Sequence, residues 1–306
     1  MKPPFNTDHH PPVGEAEPLA DGLQVVTAPN AGPMTFTGTR SYILGESEVA
    51  VIDPGPDDPA HLAALERALA GRRVSHILVT HSHVDHSPLA ARLGRQFDAP
   101  VYGFGSADAA RSALMDELAQ SGDLGGGEGI DNSFRPDILL ADGDHVSGKG
   151  WGLEAIHTPG HLSNHLCFAW KGQGSLFSGD HVMGWASTLI SPPDGDLTAF
   201  MQSLRKLQAR AEDTYYCGHG ATLQEAQTML AYLLAHRLGR EEQIRGCLAE
   251  APRDVRELTE IMYRDVDPML HGAAARNVLA HLVDLYARGL VAVDGEFGAN
   301  ARFFAT

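Results

Sequence analysis

Residues 80–86 have the sequence Thr-His-Ser-His-Val-Asp-His, which places three histidines and one aspartate within six consecutive positions. The run before them, residues 74–79, is apolar with a β-branched bias and predicts a buried strand. Residues 88–97 follow with apolar side chains at helical spacing, and Pro88 would occupy the first turn of that helix. The histidine-rich stretch is therefore expected to be a loop that joins the end of a strand to a helix.

The geometry of an extended chain indicates how this loop would hold metal ions. Alternate side chains of an extended segment point the same way, so His81 and His83 are expected to converge on one point. Asp85 and His86 lie where the chain turns into the helix, and we expect them to face a second point nearby. Imidazole and carboxylate together suit zinc and, less selectively, iron or manganese. One cluster cannot complete two metal sites, so further ligands are required downstream.

Three candidate ligands follow, each at the end of an apolar, strand-like run beside glycine or proline. His161 ends Thr-Pro-Gly-His, Asp180 ends Phe-Ser-Gly-Asp, and His219 lies within Cys-Gly-His-Gly. A lone histidine is more often a hydrogen-bonded core or surface residue than a ligand. The combination of the first loop with three partners in this order makes coincidence a poor explanation.

These residues, in this order, resemble the metallo-β-lactamase-fold hydrolases over about residues 20–235. The resemblance implies an α/β fold, a four-layer αβ/βα sandwich with a binuclear metal centre at one edge of two facing sheets. It implies that one metal is held by His81, His83 and His161. The second would be held by Asp85, His86 and His219, with Asp180 bridging the two. We therefore expect two divalent ions, zinc foremost, with iron or manganese as alternatives.

The chemistry that this centre predicts is hydrolysis. Two metal ions that share a water lower its pKa from 15.7 towards about 7, which gives a hydroxide at neutral pH. Asp85 is the predicted catalytic residue, because one of its oxygens can bind metal while the other orients the hydroxide. In the family that the chain resembles, Asp180 as a bridge is more typical of thioesterases, lactonases and nucleases than of true β-lactamases.

The C-terminal segment narrows the resemblance. Two predicted helices, over residues 255–263 and 269–289, precede a hairpin with an Asp-Gly turn, which is the pattern of a winged helix. With residues 177–193, this segment resembles the β-lactamase-like protein 2 group, some of whose members are single-strand-specific endoribonucleases. Residues 240–306 carry eight arginines and eleven acidic residues, a net charge of −3. A DNA-reading winged helix is normally basic, so this composition argues against DNA as a partner, and we interpret the segment as a packing or substrate-shaping module.

The predicted domain organisation has three parts. Residues 1–18, rich in proline, are predicted to form a flexible arm, residues 19–239 the catalytic domain, and residues 240–306 the winged-helix-like domain. The glycine-rich residues 121–137 are predicted to form a surface loop that would be able to cover the active site.

Composition limits the environment and the partners. The chain of 306 residues has no apolar run of eighteen or more, which argues against a membrane span. Three scattered cysteines and a first segment without an apolar signal core predict a reducing, cytoplasmic location. The net charge of −16 disfavours nonspecific attraction to phosphate backbones or anionic membranes, although a local basic groove would still allow RNA binding.

Several residues near the predicted ligands are candidates for other roles. His165, Trp185 and Thr188 are predicted substrate contacts, with a purely structural role as the alternative for His165. Asp53, in Asp-Pro-Gly-Pro, is interpreted first as a turn-capping residue and second as a support for the metal loop. Sequence alone does not identify the substrate, and it leaves a homo-oligomer open.

Three functions remain open. The first is ester or thioester hydrolysis on a small metabolite, supported by the acidic composition. The second is endoribonuclease activity on single strands, supported by the C-terminal segment. The third is a non-catalytic metal-binding regulatory protein, which is disfavoured because the full ligand set is present.

Overall fold

The computed structural model describes residues 4–306, which form two facing β-sheets flanked by helices. The first sheet has seven strands in chain order: β1 (Ala16–Ala20), β2 (Leu23–Thr27), β3 (Arg40–Leu44), β4 (Glu48–Ile52), β5 (Arg73–Leu78), β6 (Val101–Gly103) and β7 (Ile138–Leu139). Strands β1 to β4 are antiparallel, whereas β4 to β7 are parallel. Parallel neighbours need crossover connections. Helices α1 (Pro59–Leu69), α2 (Ala90–Phe97) and α3 (Ala113–Ser121) lie in them.

The second sheet has five strands in the order β12-β11-β10-β9-β8. These are β8 (His145–Gly148), β9 (Trp151–His157), β10 (Leu166–Trp170), β11 (Ser175–Gly179) and β12 (Thr214–Cys217). Only β11 and β12 pair in parallel, and α4 (Leu197–Gln208) lies in their crossover. Asp196 caps α4 by accepting a hydrogen bond from the backbone N–H of Ala199.

Apolar side chains fill three layers of core, and this confirms the four-layer αβ/βα sandwich. Between the sheets, Leu44 and Ile52 of the first sheet share one cluster with Phe168 and Phe177 of the second. Helices α1 and α2 cover the outer face of the first sheet. Helix α4 and the first half of α5 (Ala226–Glu250) cover the second. Each fully buried leucine or phenylalanine contributes about 1.5 to 3 kcal/mol relative to an exposed one.

The C-terminal module continues directly from α5. It consists of α6 (Val255–Met262), a 3-10 helix (Pro268–Leu270), α7 (His271–Ala287) and a hairpin of β13 (Val291–Val293) and β14 (Phe303–Ala305). A capping box between Asp254 and Glu257 starts α6. Helices followed by a hairpin match the predicted winged-helix pattern. Helix α3 packs on this module, because Met115 and Leu118 belong to its apolar cluster.

Three details differ from the sequence predictions. The last three residues of the predicted arm, residues 16–18, belong to β1, an edge strand paired with β2. Its alternation was hard to detect because Pro18 and a charged residue interrupt it, and edge strands tolerate proline. Residues 106–120 have a helix-like pattern that predicts a helix from residue 106, but helix α3 begins at Ala113. The predicted boundary at residues 239/240 lies inside the unbroken helix α5. Residues 1–3 of the predicted arm lie outside the described residues.

Within residues 4–306, no helix combines the length and apolar composition that crossing a membrane requires.

Candidate metal centre and cavity

The histidine-rich loop is positioned by the ends of two parallel strands. The chain leaves β4 at Asp53, which adopts a positive φ of 50°, a conformation that Asp tolerates better than most residues. Its Oδ1 accepts a hydrogen bond from the backbone N–H of Thr80 at 2.7 Å, and its Oδ2 accepts one from the Thr80 hydroxyl at 2.7 Å. Asp53 therefore ties the end of β4 to the start of the loop that follows β5.

Three histidines converge to form the first group of candidate ligands. His81 Nε2 lies 3.0 Å from His83 Nδ1, and His161 Nε2 lies 3.1 Å from the same atom. His161 reaches this point from the turn after β9, at the matching edge of the second sheet. Burial lowers the pKa of all three, that of His83 to about 3, and neighbouring histidines lower it further. Neutral imidazoles with nitrogen atoms aimed at one point are the form that binds a metal.

The second group contains Asp85, His86 and His219. His219 Nε2 lies 3.1 Å from Asp85 Oδ2 and 3.4 Å from His86 Nε2. Burial disfavours a charge on His86 and His219, but the surrounding carboxylates outweigh burial and raise the pKa of both, that of His219 to about 9. Burial alone would raise the pKa of Asp85, yet His86 and His219 hold it well below its usual value. In the second group, attraction between carboxylates and histidines thus outweighs the effect of burial on the pKa values.

Asp180, at the end of β11, reaches both groups. Its Oδ2 lies 3.3 Å from His219 Nε2 and 3.7 Å from His161 Nε2, while its Oδ1 lies 3.5 Å from His86 Nε2. Gly218 makes this position accessible, because a Cβ there would lie 2.2 Å from Asp180 Oδ1. The structure thereby brings together all seven predicted ligands.

Hydrogen bonds behind the ligands orient their rings. The nitrogen that faces away from the centre has a fixed partner in each of four histidines: Thr80 Oγ1 for His81 at 2.9 Å, Asp53 Oδ2 for His86 at 3.0 Å, Leu189 O for His161 at 2.8 Å and Gly38 O for His219 at 3.3 Å. Such partners set the tautomer of a ligating imidazole and increase its basicity. Asp53 is one of them, so the supporting role, and not turn capping alone, is the one observed.

The donor set fits two divalent ions. Three combinations of candidate ligand atoms each lie within 4.8 Å of one another: His81, His83 and His161; His81, His86 and Asp180; Asp85, His86 and His219. The buried Asp180 Oδ1 has no hydrogen-bond partner among the described residues. A buried carboxylate oxygen without a donor is costly unless it binds a cation. Mixed imidazole and carboxylate donors suit zinc, iron or manganese.

A cavity of about 470 Å³ opens above this centre. Its lining includes five of the seven candidate ligands, and four other segments form its sides. These are Met34 and Thr35, Glu128 and Gly129 in the glycine-rich loop, residues 189–194, and Ala273 with Arg276 on α7. Helix α7 thus places part of the C-terminal module against the cavity. The sequence offered no signal for this contact, which depends on how the module docks.

None of the three predicted substrate contacts is among the described residues that line the cavity. His165 is fully buried with its ring 5.1 Å from that of His81, so it packs behind a ligand. Trp185 stacks on Phe36 at 4.9 Å, beneath the loop that carries Met34. The Thr188 hydroxyl donates to the backbone carbonyl oxygen of Asp180 at 2.7 Å. All three side chains therefore pack beside the candidate ligands or their loops, outside the described cavity lining, and a contact with substrate remains a prediction.

Comparison with known proteins agrees with the fold and the centre. Residues 34–219 match the metallo-beta-lactamase superfamily, and residues 255–299 match the beta-lactamase associated winged helix domain. A beta-lactamase domain protein from Burkholderia ambifaria superposes with a TM-score of 0.80 at 25% identity, over 98% of this chain and 96% of that chain.

Two relatives are similar over most of their length. The beta-lactamase-like protein 2 homolog of Drosophila melanogaster is 30% identical, over 86% of this chain and 87% of that protein. Atrochrysone carboxyl ACP thioesterase AgnL7 of Paecilomyces divaricatus is 29% identical, over 86% of this chain and 76% of that protein. This chain therefore belongs to the metallo-beta-lactamase superfamily, as a hydrolase with a beta-lactamase associated winged helix domain.

Proposed function

We propose that this protein hydrolyses an ester or thioester of a small metabolite, using two divalent metal ions, of which zinc suits the ligands best. The observation that carries the proposal is the pair of ligand groups, both within reach of Asp180, at the base of a cavity. The thioester preference is supported by the similarity to a protein named as an acyl carrier protein thioesterase.

The proposed ligand assignment follows the two groups. One ion would be held by His81, His83 and His161, the other by Asp85, His86 and His219, with Asp180 reaching both. When bound, the two ions supply an activated water and positive charge that stabilises the developing oxyanion.

Asp85 is the proposed catalytic residue because its two oxygens have different surroundings. Oδ2 accepts a hydrogen bond from the Thr39 hydroxyl at 3.1 Å and lies 3.1 Å from His219 Nε2. Oδ1 has no hydrogen bond to a described residue, and Asp85 lines the cavity. That oxygen is therefore free to accept a hydrogen bond from the attacking water and to orient it towards the substrate carbonyl.

The cavity favours a small acyl substrate over RNA. Its volume lies in the range of small-molecule sites, roughly 300 to 1,000 Å³. Proteins that bind single-stranded nucleic acid use a basic groove with aromatic stacking platforms. The described lining offers one permanent cation, Arg276, beside the acidic Glu128 and Asp194. A purely regulatory metal-binding role is less well supported, because a complete ligand set borders a cavity of substrate size.

The test is a side-by-side assay of zinc-loaded protein on a panel of acyl thioesters and esters and on single-stranded RNA. We expect thioester or ester turnover that falls at least roughly 100-fold in Asp85→Ala, the lower end of the range for a general base. Asp57→Ala, at an exposed aspartate in the turn before α1, is the matched control and should retain full activity. RNA cleavage that Asp85→Ala abolishes, with no acyl turnover, would replace this proposal with the endoribonuclease. Absence of both activities would favour the regulatory role.

A further inference from the structure

Arg276 is a cavity-lining cation whose charge has no protein counterpart in the described residues. It lies on α7, half-buried. Its Nε donates to the Ser191 hydroxyl at 2.7 Å, and its two terminal nitrogens donate to the backbone carbonyl oxygens of Leu124 and Pro192. All three acceptors are neutral, so the positive charge of the guanidinium is not compensated by these bonds.

Two arginines that do have carboxylate partners show the contrast. Arg111, close to the same cavity, pairs with Asp194 at 2.9 Å, and Arg210 pairs with both Glu154 and Glu212. Asp194 also accepts a hydrogen bond from the backbone N–H of Gly127 at 2.6 Å, so Arg111 and the glycine-rich loop already engage it. The other lining acid outside the metal centre, Glu128, is exposed.

The guanidinium is also held in place in advance. An arginine has five N–H donors in a planar fork, and the three hydrogen bonds to neutral acceptors leave two of them free. A fixed side chain loses little conformational entropy when it binds a ligand. Guanidinium groups of this kind suit carboxylate and phosphate oxygens, which they bind by charge-assisted hydrogen bonds.

We propose that Arg276 binds an anionic oxygen group of the substrate, a carboxylate or a phosphate, while the ester or thioester carbonyl lies at the metal centre. The inference rests on the proposed hydrolase function and adds a substrate class to it, namely anionic acyl esters or thioesters. It also gives the C-terminal module a direct part in substrate selection, since α7 carries the recognising side chain.

A purely structural role makes a different prediction. The three hydrogen bonds of Arg276 connect α7 to residues 124 and 191–192, so its loss would also loosen two sides of the cavity. Loosened walls would impair neutral and anionic substrates alike, whereas a lost anion contact would impair only the anionic ones. The ratio between matched substrates therefore separates the two roles.

The kinetic test compares three thioesters on the zinc-loaded full-length chain. The pentanoyl and glutaryl thioesters of N-acetylcysteamine have equal chain length and differ in one terminal carboxylate. The pentanoyl thioester of coenzyme A adds phosphates instead. In Arg276→Ala we expect KM to rise roughly 10- to 100-fold for the anionic substrate that uses this contact, and less than about 3-fold for neutral pentanoyl-N-acetylcysteamine. Arg276→Lys should restore part of the selectivity.

Comparison of the glutaryl thioester with the coenzyme A thioester shows whether Arg276 binds a carboxylate or a phosphate. Arg256→Ala removes an exposed arginine of α6 and is the matched control, which should leave all three substrates unchanged. Equal losses for all three thioesters in Arg276→Ala would overturn the proposal and leave Arg276 a structural clamp.

A binding measurement keeps this inference separate from the proposed activity. Calorimetric titration with glutarate and with pentanoate, which again differ by one carboxylate, requires no turnover, and inorganic phosphate serves as the probe for the phosphate source. We expect glutarate or phosphate to bind the zinc-loaded wild-type protein at least roughly 10-fold more tightly than Arg276→Ala, with pentanoate changed much less. If the protein shows this binding but no thioesterase activity, the anion site is supported and only the proposed hydrolysis is rejected. Unchanged affinities for both glutarate and phosphate would overturn the anion site.

Discussion

The base of the cavity and its sides are built in different ways. The base is the candidate metal centre, whose seven ligands lie at strand ends of the two sheets, and hydrogen bonds from behind orient four of its histidine rings. The sides come from four segments: the loop with Met34 and Thr35, the glycine-rich loop, residues 189–194 and one face of α7. His86 and His219 are almost fully buried, whereas Met34 on the rim is 53% exposed. The two sheets thus fix the positions of the candidate metal ligands at the base, whereas separate segments of the chain determine which substrates fit the cavity.

This difference separates two classes of mutant. A change at the base should alter metal affinity and turnover for every substrate. A change at the sides should leave the metals in place and alter the preference among substrates. Predictions that distinguish these outcomes follow, from the largest expected effect to the smallest.

Asp53→Asn tests whether the base depends on its support. The carboxylate accepts hydrogen bonds from both the backbone and the hydroxyl of Thr80 and contacts His86 Nδ1 at 3.0 Å. An amide cannot satisfy all three donors, so the orientation of His86 should suffer. We expect zinc affinity or turnover to fall roughly 10- to 100-fold for every substrate, measured by metal titration and by kinetics. Asp57→Asn is the control, and equal values for the two variants would show that Asp53 is only a turn residue.

Ala273→Leu tests the sides. Ala273 lies on α7 and lines the cavity, and leucine keeps a good helix propensity there. The larger side chain should narrow the cavity, so kcat/KM should fall about 10-fold for long acyl chains and little for acetyl substrates. Zinc content, measured on the same samples, should not change. Ala211→Leu, at an exposed position, controls for added apolar surface. A uniform loss for short and long substrates would contradict a selective role for α7.

The packing beneath the base should make stability depend on pH. His61 is buried, bonded to Ser41 Oγ at 2.8 Å and packed under Gly55; burial lowers its pKa to about 4. The unfolded chain protonates this histidine near pH 6.5, so between pH 6.5 and 4 the unfolded state binds more protons. Folding stability should therefore fall as the pH falls, by about 1 kcal/mol from pH 7 to 5.5 for this group.

Urea unfolding at the two pH values measures this contribution. His61→Gln should show a smaller pH dependence than the wild type, and His145→Gln, at an exposed histidine, should not. An identical pH dependence in all three proteins would contradict the assignment to His61.

The sequence predicted the base far better than the sides, and the reason is physical. Six consecutive positions carry four ligands, and glycine or proline marks the strand ends that deliver the others, so local patterns suffice. The role of Asp53 depends on a contact with Thr80 across 27 positions, which parallel strand pairing creates. Proximity in sequence to Asp180 suggested Thr188 as a substrate contact, but its hydroxyl donates to the Asp180 backbone.

The sides depend on long-range docking. Arg276 lies far along the chain from the histidine-rich loop, and no periodicity or motif indicates that α7 faces the metal centre. The terminal hairpin was predicted because turn signals are local, whereas the four-layer sandwich was implied by the family resemblance that the ligand motifs carry. The edge strand β1 was missed because proline and charge interrupt its pattern.

The most direct test of the central claim is the number of metal ions bound per chain. We propose that the wild-type protein, saturated with zinc and then dialysed, holds two zinc ions per chain by elemental analysis. Asp180→Ala should hold fewer, because Asp180 reaches both ligand groups, and Asp57→Ala should still hold two. One zinc ion or none in the wild type, or two in Asp180→Ala, would contradict a binuclear centre organised around Asp180.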